Sequence, residues 1–306
     1  MSQAINIRPI VEIKGLTKMF KKRTALEDVN LDIFPDHIIG LLGPDGCGKS
    51  TLIRHIIGQH IPTKGTCLTF GREPSKLGSK DLMRIGYVHQ EGQLLNWMRV
   101  DQLIQYVSSF YPGWNKELEL RYINDFDIRM KDRVGSLSPG QRQKVAILLA
   151  IGHEPDLLIL DEPTSELDPI ARAQFLELLL NIIQQEGKTI LIASHILTDV
   201  EKIIDQVIMM KDGRIIENQG MDNLRERYLH VRLSTLSKEL PRTLTFEKAL
   251  FCERDDCQAV MVLENAYFDE IKEQVQASNC RIDVHSLPLE DLYKIIIGSR
   301  VLRQDL

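Results

Sequence analysis

The chain has 306 residues, of which 43% are apolar and 26% are charged. This composition is that of an ordinary globular protein with a sizeable core, and the length fits about two domains. The formal net charge of −5 disfavours a dedicated nucleic-acid binder, so we expect no nucleic-acid partner. No apolar run approaches the roughly 20 residues of a membrane-spanning helix, and residues 1–12 lack the features of a signal peptide.

Between residues 9 and 225, buried strands are predicted to alternate with helices. Two segments of alternating polarity within residues 9–35 are typical of antiparallel strands. Short apolar runs predict buried strands at 37–43, 84–89, 157–160 and 189–193. Helical patterns lie between them at 50–57, across most of 98–153, and at 169–186. This order predicts a parallel sheet with helices on its faces.

The sequence pattern changes near residue 225. Beyond it, alternating segments predict strands at 229–233, 245–252, 258–263 and 281–285, and helical patterns occupy 266–277 and 289–297. We therefore predict two domains, 10–225 and 226–306, the second a small α+β unit. Cys252, Cys257 and Cys280 do not have the spacing of a zinc site, which favours packing in the core of this unit.

A glycine-rich loop follows the strand predicted at 37–43. It consists of Gly43, Pro44, Asp45, Gly46, Cys47, Gly48, Lys49, Ser50 and Thr51, and it matches the pattern G-x-x-x-x-G-K-[ST]. Glycines let the backbone N–H groups surround phosphate oxygens, and the helix that follows adds partial positive charge. Lys49 is predicted to reach the β- and γ-phosphates, and the Ser50 hydroxyl to bind Mg²⁺. The whole loop is thus a predicted nucleotide site.

Two adjacent acids, Asp161 and Glu162, end the strand predicted at 157–160. In doubly wound sheets, ligands lie at the carboxyl ends of the strands. Asp161 is therefore predicted to bind Mg²⁺ together with Ser50. Glu162 is placed to accept a proton from an attacking water molecule, as a general base.

Five further motifs resemble those of the ATP-binding cassette (ABC) ATPases. Residues 137–141 read Leu-Ser-Pro-Gly-Gln and resemble the signature of that family, with Pro139 where glycine is more usual. The other four are Gln90 as the Q-loop glutamine, residues 165–168 as the D-loop, His195 as the switch histidine, and Phe20 as the adenine-stacking aromatic residue. The resemblance covers about residues 10–225.

The resemblance implies an α/β P-loop NTPase of the ABC type, followed by a small α+β appendage. Its expected parts are a parallel core sheet, an antiparallel β subdomain and a helical signature subdomain. ATP and Mg²⁺ are the implied ligands, with Gln90 joining the metal site and acting in catalysis beside Glu162 and His195. The nucleotide contacts implied outside the phosphate loop are those of Phe20, Ser138, Gly140, Gln141 and Asp168.

The resemblance also implies partners. Because the signature of one subunit faces the γ-phosphate held by the other, a homodimer is expected. A separate integral membrane permease is expected too, with this chain on the cytoplasmic side of the membrane. Trp97 and the aromatic residues of 111–114 form either core contacts or a groove for a permease helix.

Residues 287–293 resemble the ending of exporter-type single-cassette subunits, which favours export. The alternative function is a non-transport ABC ATPase in DNA repair or translation. Such proteins carry two cassettes or a long coiled coil ahead of the signature, and this chain has one cassette and a short segment there.

Overall fold

The computed structural model describes residues 8–89, 94–184, 188–235, 240, 249–269, 272–273 and 280–298. By their internal contacts the residues divide into two compact units, Met1–Asn218 and Gln219–Leu306. The domains at 10–225 and 226–306 stay our proposal. Among the described helices, none has the length and apolar character needed to cross a membrane.

The first unit contains nine described strands and seven described α-helices. The strands are β1 (Val11–Phe20), β2 (Arg23–Ile33), β3 (Ile38–Leu42), β4 (Lys64–Thr69), β5 (Ile85–Val88), β6 (Leu157–Asp161), β7 (Thr189–Ala193), β8 (Gln206–Lys211) and β9 (Arg214–Gly220). The helices are α1 (Lys49–Ile56), α2 (Ser79–Leu82), α3 (Val100–Ser108), α4 (Lys116–Asp125), α5 (Pro139–Ile151), α6 (Pro169–Ile183) and α7 (Leu197–Val200). β9 runs two residues into the second unit.

The central sheet of this unit has the strand order β5-β6-β7-β3-β8-β9. The pairs β5–β6, β6–β7, β7–β3 and β3–β8 are parallel, which confirms the predicted parallel core. Every residue of β3, β6 and β7 is buried, and side chains of these strands share one core cluster with residues of β1, β2, β4 and α1. The carboxyl ends of these three strands therefore carry the phosphate loop, the acid pair and the segment containing His195 to one edge.

A second, antiparallel sheet has the order β2-β1-β4. The β1–β2 hairpin agrees with the prediction for residues 9–35. β4 was not predicted, because half of its residues are exposed and its sequence shows no clear alternation. β8 and β9 were also not predicted from the sequence.

The aromatic residues in and around α3 and α4 divide between core and surface. Tyr111 stacks on His153 with ring centroids 4.0 Å apart. Trp114 donates a hydrogen bond from Nε1 to Oε2 of the buried Glu119, at 2.6 Å. Trp97, in contrast, is 69% exposed. Tyr111 and Trp114 therefore make packing contacts, and only Trp97 of these three is exposed enough to contact a permease helix.

In the second unit, helix α8 (Met221–Arg227) is followed by four described strands and a last described helix. The strands are β10 (Tyr228–Thr235), β11 (Phe251–Arg254), β12 (Gln258–Glu264) and β13 (Cys280–Ser286), and the helix is α9 (Leu289–Gly298). The strands form an antiparallel sheet in the order β11-β12-β10-β13, with one face buried around Val231 and Met261. Much of the strand predicted at 245–252 and of the helix predicted at 266–277 lies outside the described residues.

The cysteines of this unit do not pack as predicted. Cys252 and Cys257 are exposed, and Cys280 is half-buried. The prediction that they complete the core was wrong for Cys252 and Cys257, because Cys252 lies exposed on the edge strand β11 and Cys257 lies in the turn between β11 and β12. Within the described part of the chain, no group of three or more His, Cys, Asp or Glu side chains is placed to hold a metal.

Candidate nucleotide site

The phosphate loop curls around the ammonium group of its own lysine. Lys49 is the first residue of α1 and is 7% exposed. Its Nζ donates to the carbonyl oxygen of Gly43 at 2.7 Å and to that of Pro44 at 3.3 Å. Gly48 has a φ of +113°, and a Cβ there would lie 2.8 Å from the Ala25 carbonyl oxygen. Only glycine fits this position, because both the backbone conformation and the close strand exclude a side chain.

A cavity of about 410 Å³ opens beside this loop. Nine predicted site residues line it: Phe20, Asp45, Gly46, Gly48, Lys49, Ser50, Thr51, Asp161 and Glu162. The structure thus brings together residues of β1, the loop and the end of β6, as predicted for a nucleotide site. Gly43, Pro44 and Cys47 belong to the loop but do not line the cavity; Cys47 is buried, and burial raises the pKa of its thiol.

Arg23 and Ala25 also line the cavity, although neither was predicted from the sequence. Both lie on β2, directly after the turn that follows Phe20. No motif marks them, and the signal that could have found them is that they are the first and third residues of the strand that pairs with Phe20.

The Ser50 hydroxyl and the Asp161 carboxylate both line the cavity. Asp161 is 2% exposed, and burial raises the pKa of its carboxyl group while the hydrogen bond from Ser50 opposes that change. A hydroxyl and a carboxylate are the hard oxygen ligands that Mg²⁺ prefers, so the donor set fits this ion. Gln90, the third predicted metal ligand, lies outside the described residues.

Glu162 and His195 contact each other at adjacent strand ends. His195 places its Nδ1 2.6 Å from Oε2 of Glu162 and donates its backbone N–H to the same oxygen at 3.2 Å. The backbone N–H of Glu162 in turn donates to the Ala193 carbonyl oxygen at 2.8 Å. These contacts hold the backbone of Glu162 at a φ of +53°. Residues other than glycine rarely adopt this conformation, and it recurs at functional sites.

The predicted signature residues cap the first turn of α5. Ser138 is the N-cap: its Oγ accepts from the backbone N–H of Gln141 at 3.3 Å, and Gln141 Oε1 accepts from the Ser138 N–H at 3.0 Å. Pro139 is the first helical residue, where its fixed φ and missing N–H are tolerated. A Cβ on Gly140 would lie 2.6 Å from the Glu166 carbonyl oxygen, so the signature packs closely on the D-loop.

Asp168, the last D-loop residue, caps α6. Its Oδ1 accepts from the backbone N–H groups of Ala171 at 2.9 Å and Ile170 at 3.1 Å. The hydrogen bond from Ala171 is the main cause of the lowered pKa of this carboxyl group. Within the described part of the chain, neither Asp168 nor the signature residues Ser138, Gly140 and Gln141 line the nucleotide cavity. The structure of one chain therefore does not bring these residues to the phosphate loop.

A phosphate loop between a buried parallel strand and a helix, with an acid pair at the end of a nearby strand, defines a P-loop nucleoside triphosphatase. Comparison with known proteins gives a more specific class. The family model for ABC transporters matches residues 26–165.

Two curated relatives and a solved structure are similar to this chain over most of its length. The bacitracin transport ATP-binding protein BcrA of Bacillus licheniformis is 33% identical over 75% of this chain and 76% of its own length. The lantibiotic transport ATP-binding protein SrtF of Streptococcus pyogenes is 34% identical over 72% of this chain and 96% of its own length. A dimeric post-hydrolysis state of an ATP-binding cassette bound to ADP and Pi superposes with a TM-score of 0.61, at 25% identity over 69% of this chain and 98% of that one.

The chain belongs to the ATP-binding subunits of ABC transporters. It is an ATPase that serves as the motor subunit of a transporter. The alternative of a non-transport ABC ATPase in DNA repair or translation is not favoured, because these relatives are transport proteins.

Proposed function

We propose that this chain drives export through a separate membrane permease by hydrolysing MgATP at the cavity beside its phosphate loop. The observation that carries the proposal is the contact between Glu162 and His195. Glu162 lines the same cavity as Lys49, so a general base and the residue that orients it lie beside a phosphate-binding loop. Phe20 lines the same cavity, half-exposed, and offers its ring to the base of the nucleotide.

Hydrolysis at this site is a transfer of the γ-phosphoryl group to water. Glu162 takes a proton from the water molecule as its oxygen attacks the γ-phosphorus, and the bond to the β-phosphate oxygen breaks to leave ADP. His195 holds the Glu162 carboxylate in place, and Lys49 offsets the charge of the β- and γ-phosphates. Mg²⁺, held by Ser50, Asp161 and Gln90, would neutralise the charge of the phosphate oxygens.

We further propose that two copies of the chain build two complete sites. In one chain, Ser138, Gly140 and Gln141 do not line the cavity, and the start of α5 is exposed at Ser138. The N-terminus of α5 carries partial positive charge and suits a phosphate. A dimeric solved cassette supports this arrangement. Asp168 would lie at the same junction, because the D-loop packs on Gly140.

Trp97 is our candidate for contact with the permease. It exposes 69% of its surface just after residues 90–93, the segment that contains Gln90. A large exposed indole is unusual on a solvated surface and is enriched at protein interfaces. A partner bound here would be linked to the metal site through Gln90. Two observations support export: the relatives that transport bacitracin and a lantibiotic, and the resemblance of residues 287–293 to exporter subunits.

The proposal is tested by purifying tagged chain from detergent-extracted membranes with its permease and reconstituting the complex in vesicles. Wild type should hydrolyse ATP only with Mg²⁺ and accumulate substrate on the side opposite the ATP-binding subunits. Trp97→Ala should release the permease, while Ile61→Ala, which removes an apolar side chain with 67% exposure elsewhere, should not. Accumulation on the same side as the ATP-binding subunits would contradict export, and an intact complex with Trp97→Ala would contradict this contact.

A further inference from the structure

Arg23 is a cation at the nucleotide cavity to which no motif gives a role. Its side chain is exposed and lines the cavity with Phe20 and the phosphate loop. One guanidinium nitrogen, Nη2, lies 3.7 Å from the point where a Cβ on Gly46 would be. Among the described residues its guanidinium group makes no hydrogen bond or ion pair, so its five donors are open to the cavity and to solvent.

The hairpin register explains why Arg23 and Phe20 both reach the cavity. Phe20 and Arg23 are direct cross-strand partners that close the β1–β2 hairpin around a two-residue turn, Lys21 and Lys22. Residues directly opposite each other in an antiparallel pair project from the same face of the sheet. Ala25 falls at a register shift of the hairpin, between Thr24 opposite Met19 and Leu26 opposite Lys18, and also lines the cavity.

The strand that carries Arg23 is tied to the phosphate loop through its backbone. The N–H of Gly213 donates to the Cys47 carbonyl oxygen at 2.9 Å, and the Gly213 carbonyl oxygen accepts from the N–H of Glu27 at 2.9 Å. The Ala25 carbonyl lies directly against Gly48. These contacts fix the backbone of β2 relative to the phosphate loop, and so they place Arg23 beside Gly46.

We propose that Arg23 binds the phosphate chain of the nucleotide, as a second cation opposite Lys49. This inference rests on the proposed nucleotide site. The guanidinium lies beside the glycine-rich part of the loop, whose backbone suits phosphate oxygens, and a planar guanidinium can donate two parallel hydrogen bonds to a phosphate. Phe20 and Arg23 then divide the nucleotide between them: the aromatic ring contacts the base and the cation contacts the phosphates.

The test compares ADP and inorganic tripolyphosphate, which has phosphates but neither base nor ribose. Affinities are measured by calorimetry for ADP and by displacement of ADP for tripolyphosphate, on full-length protein whose fold is checked by circular dichroism. Arg23→Ala should weaken both ligands by about tenfold, the lower range for a hydrogen bond to a charged group at an exposed position. Arg23→Lys, which keeps the charge and loses the paired donors, should lie between.

Lys22→Ala is the matched control, because it removes the same charge from the adjacent turn residue, which does not line the cavity. It should change either affinity by less than about twofold. The proposal is overturned if Arg23→Ala binds both ligands like wild type, if it weakens ADP but not tripolyphosphate, or if Lys22→Ala weakens both as strongly. Lys49→Ala separates the two levels of inference: if it retains wild-type ADP affinity, the proposed site itself is wrong, whatever Arg23 does.

Discussion

The Nδ1 atom of His195 lies 2.6 Å from Oε2 of Glu162, although 33 residues separate the two in the chain. The contact exists because Asp161, at the end of β6, pairs with Ala193, at the end of β7. The residues that follow these strand ends therefore emerge side by side, next to the phosphate loop after β3. This parallel pairing brings the predicted base and the predicted orienting group into one unit.

Replacing Glu162, the proposed general base, should abolish most turnover without abolishing nucleotide binding. Glu162→Gln keeps the shape of the side chain and removes its ability to accept a proton, so we expect ATP binding to persist and hydrolysis to fall by about 10²- to 10⁴-fold. Steady-state phosphate release measures hydrolysis, and ATP titration without Mg²⁺ measures binding. Glu177→Gln, at an exposed position of α6, is the control and should behave like wild type. Turnover by Glu162→Gln within about twofold of wild type would contradict the assigned role.

The contact between Glu162 and His195 predicts non-additive kinetics. His195→Ala should lower the rate because the carboxylate loses its 2.6 Å partner, although it keeps the backbone N–H of residue 195. Since both side chains act on one step, adding His195→Ala to Glu162→Gln should lower the rate much less than it does in wild type. The measurement is a double-mutant cycle on single-turnover rates. Additive losses would mean that the two residues act independently.

The signature should act on the nucleotide of the other subunit. Ser138→Arg should abolish hydrolysis while leaving ADP affinity unchanged, because Ser138 does not line the cavity of its own chain. Mixing it with Lys49→Ala protein should restore part of the activity, since such a heterodimer has one site with both halves intact. Ser136→Arg, at an exposed position just before the signature, serves as control. Full hydrolysis by a species that light scattering shows to be monomeric would refute the shared site.

Acid should destabilise the chain through a buried histidine of α1. His55 is fully buried, donates from Nδ1 to the Thr51 carbonyl oxygen at 2.7 Å, and has its pKa lowered from 6.5, mainly by burial. The unfolded chain therefore binds more protons as the pH falls below 6.5, and the free energy of unfolding falls with it. His60, whose ring lies 5.5 Å from that of His55, has a lowered pKa for the same main reason and adds to the effect.

The check is urea unfolding at several pH values between about 7.5 and 5.5. His55→Gln stays uncharged over this range, so its stability should fall less steeply with pH than that of wild type. His37→Gln, at an exposed position, should keep the wild-type slope. An unchanged slope for His55→Gln would show that His55 does not carry the acid sensitivity.

Nucleotide binding should not need the second unit. All eleven residues that line the cavity lie within the first unit, so a fragment ending at Gly220 should bind ADP within about twofold of the full chain. A cut after Gly220 is preferred to one after Arg225, because the latter leaves five of the seven residues of α8, including Leu224, which is fully buried in the whole chain. The same fragment with Lys49→Ala is the control. A fragment that is insoluble, or folded but unable to bind ADP, would contradict separate domains.

The sequence predicted well those features that depend on a single continuous segment of the chain. The sequence predicted a strand before the phosphate loop, a helix after it, and an acid pair at the end of a later strand, and β3, α1 and β6 have those positions because strand and helix signals are local. The buried strands β3, β6 and β7 were found for a similar reason: a strand covered on both faces is apolar throughout.

Tertiary structure decided what depends on pairing between distant segments. β4 lies where it does because it pairs antiparallel with β1, which its own sequence does not show. Cys257 is exposed because it falls in a turn, which its residue type does not show. The same holds for Arg23, which reaches the cavity because it stands opposite Phe20 on a strand that Gly213 ties to the phosphate loop. The sequence by itself thus determined the class of ATPase and the residues of its motifs. Only the fold decided which side chains touch, because hydrogen-bond register and the order of strands in a sheet join residues far apart in the chain.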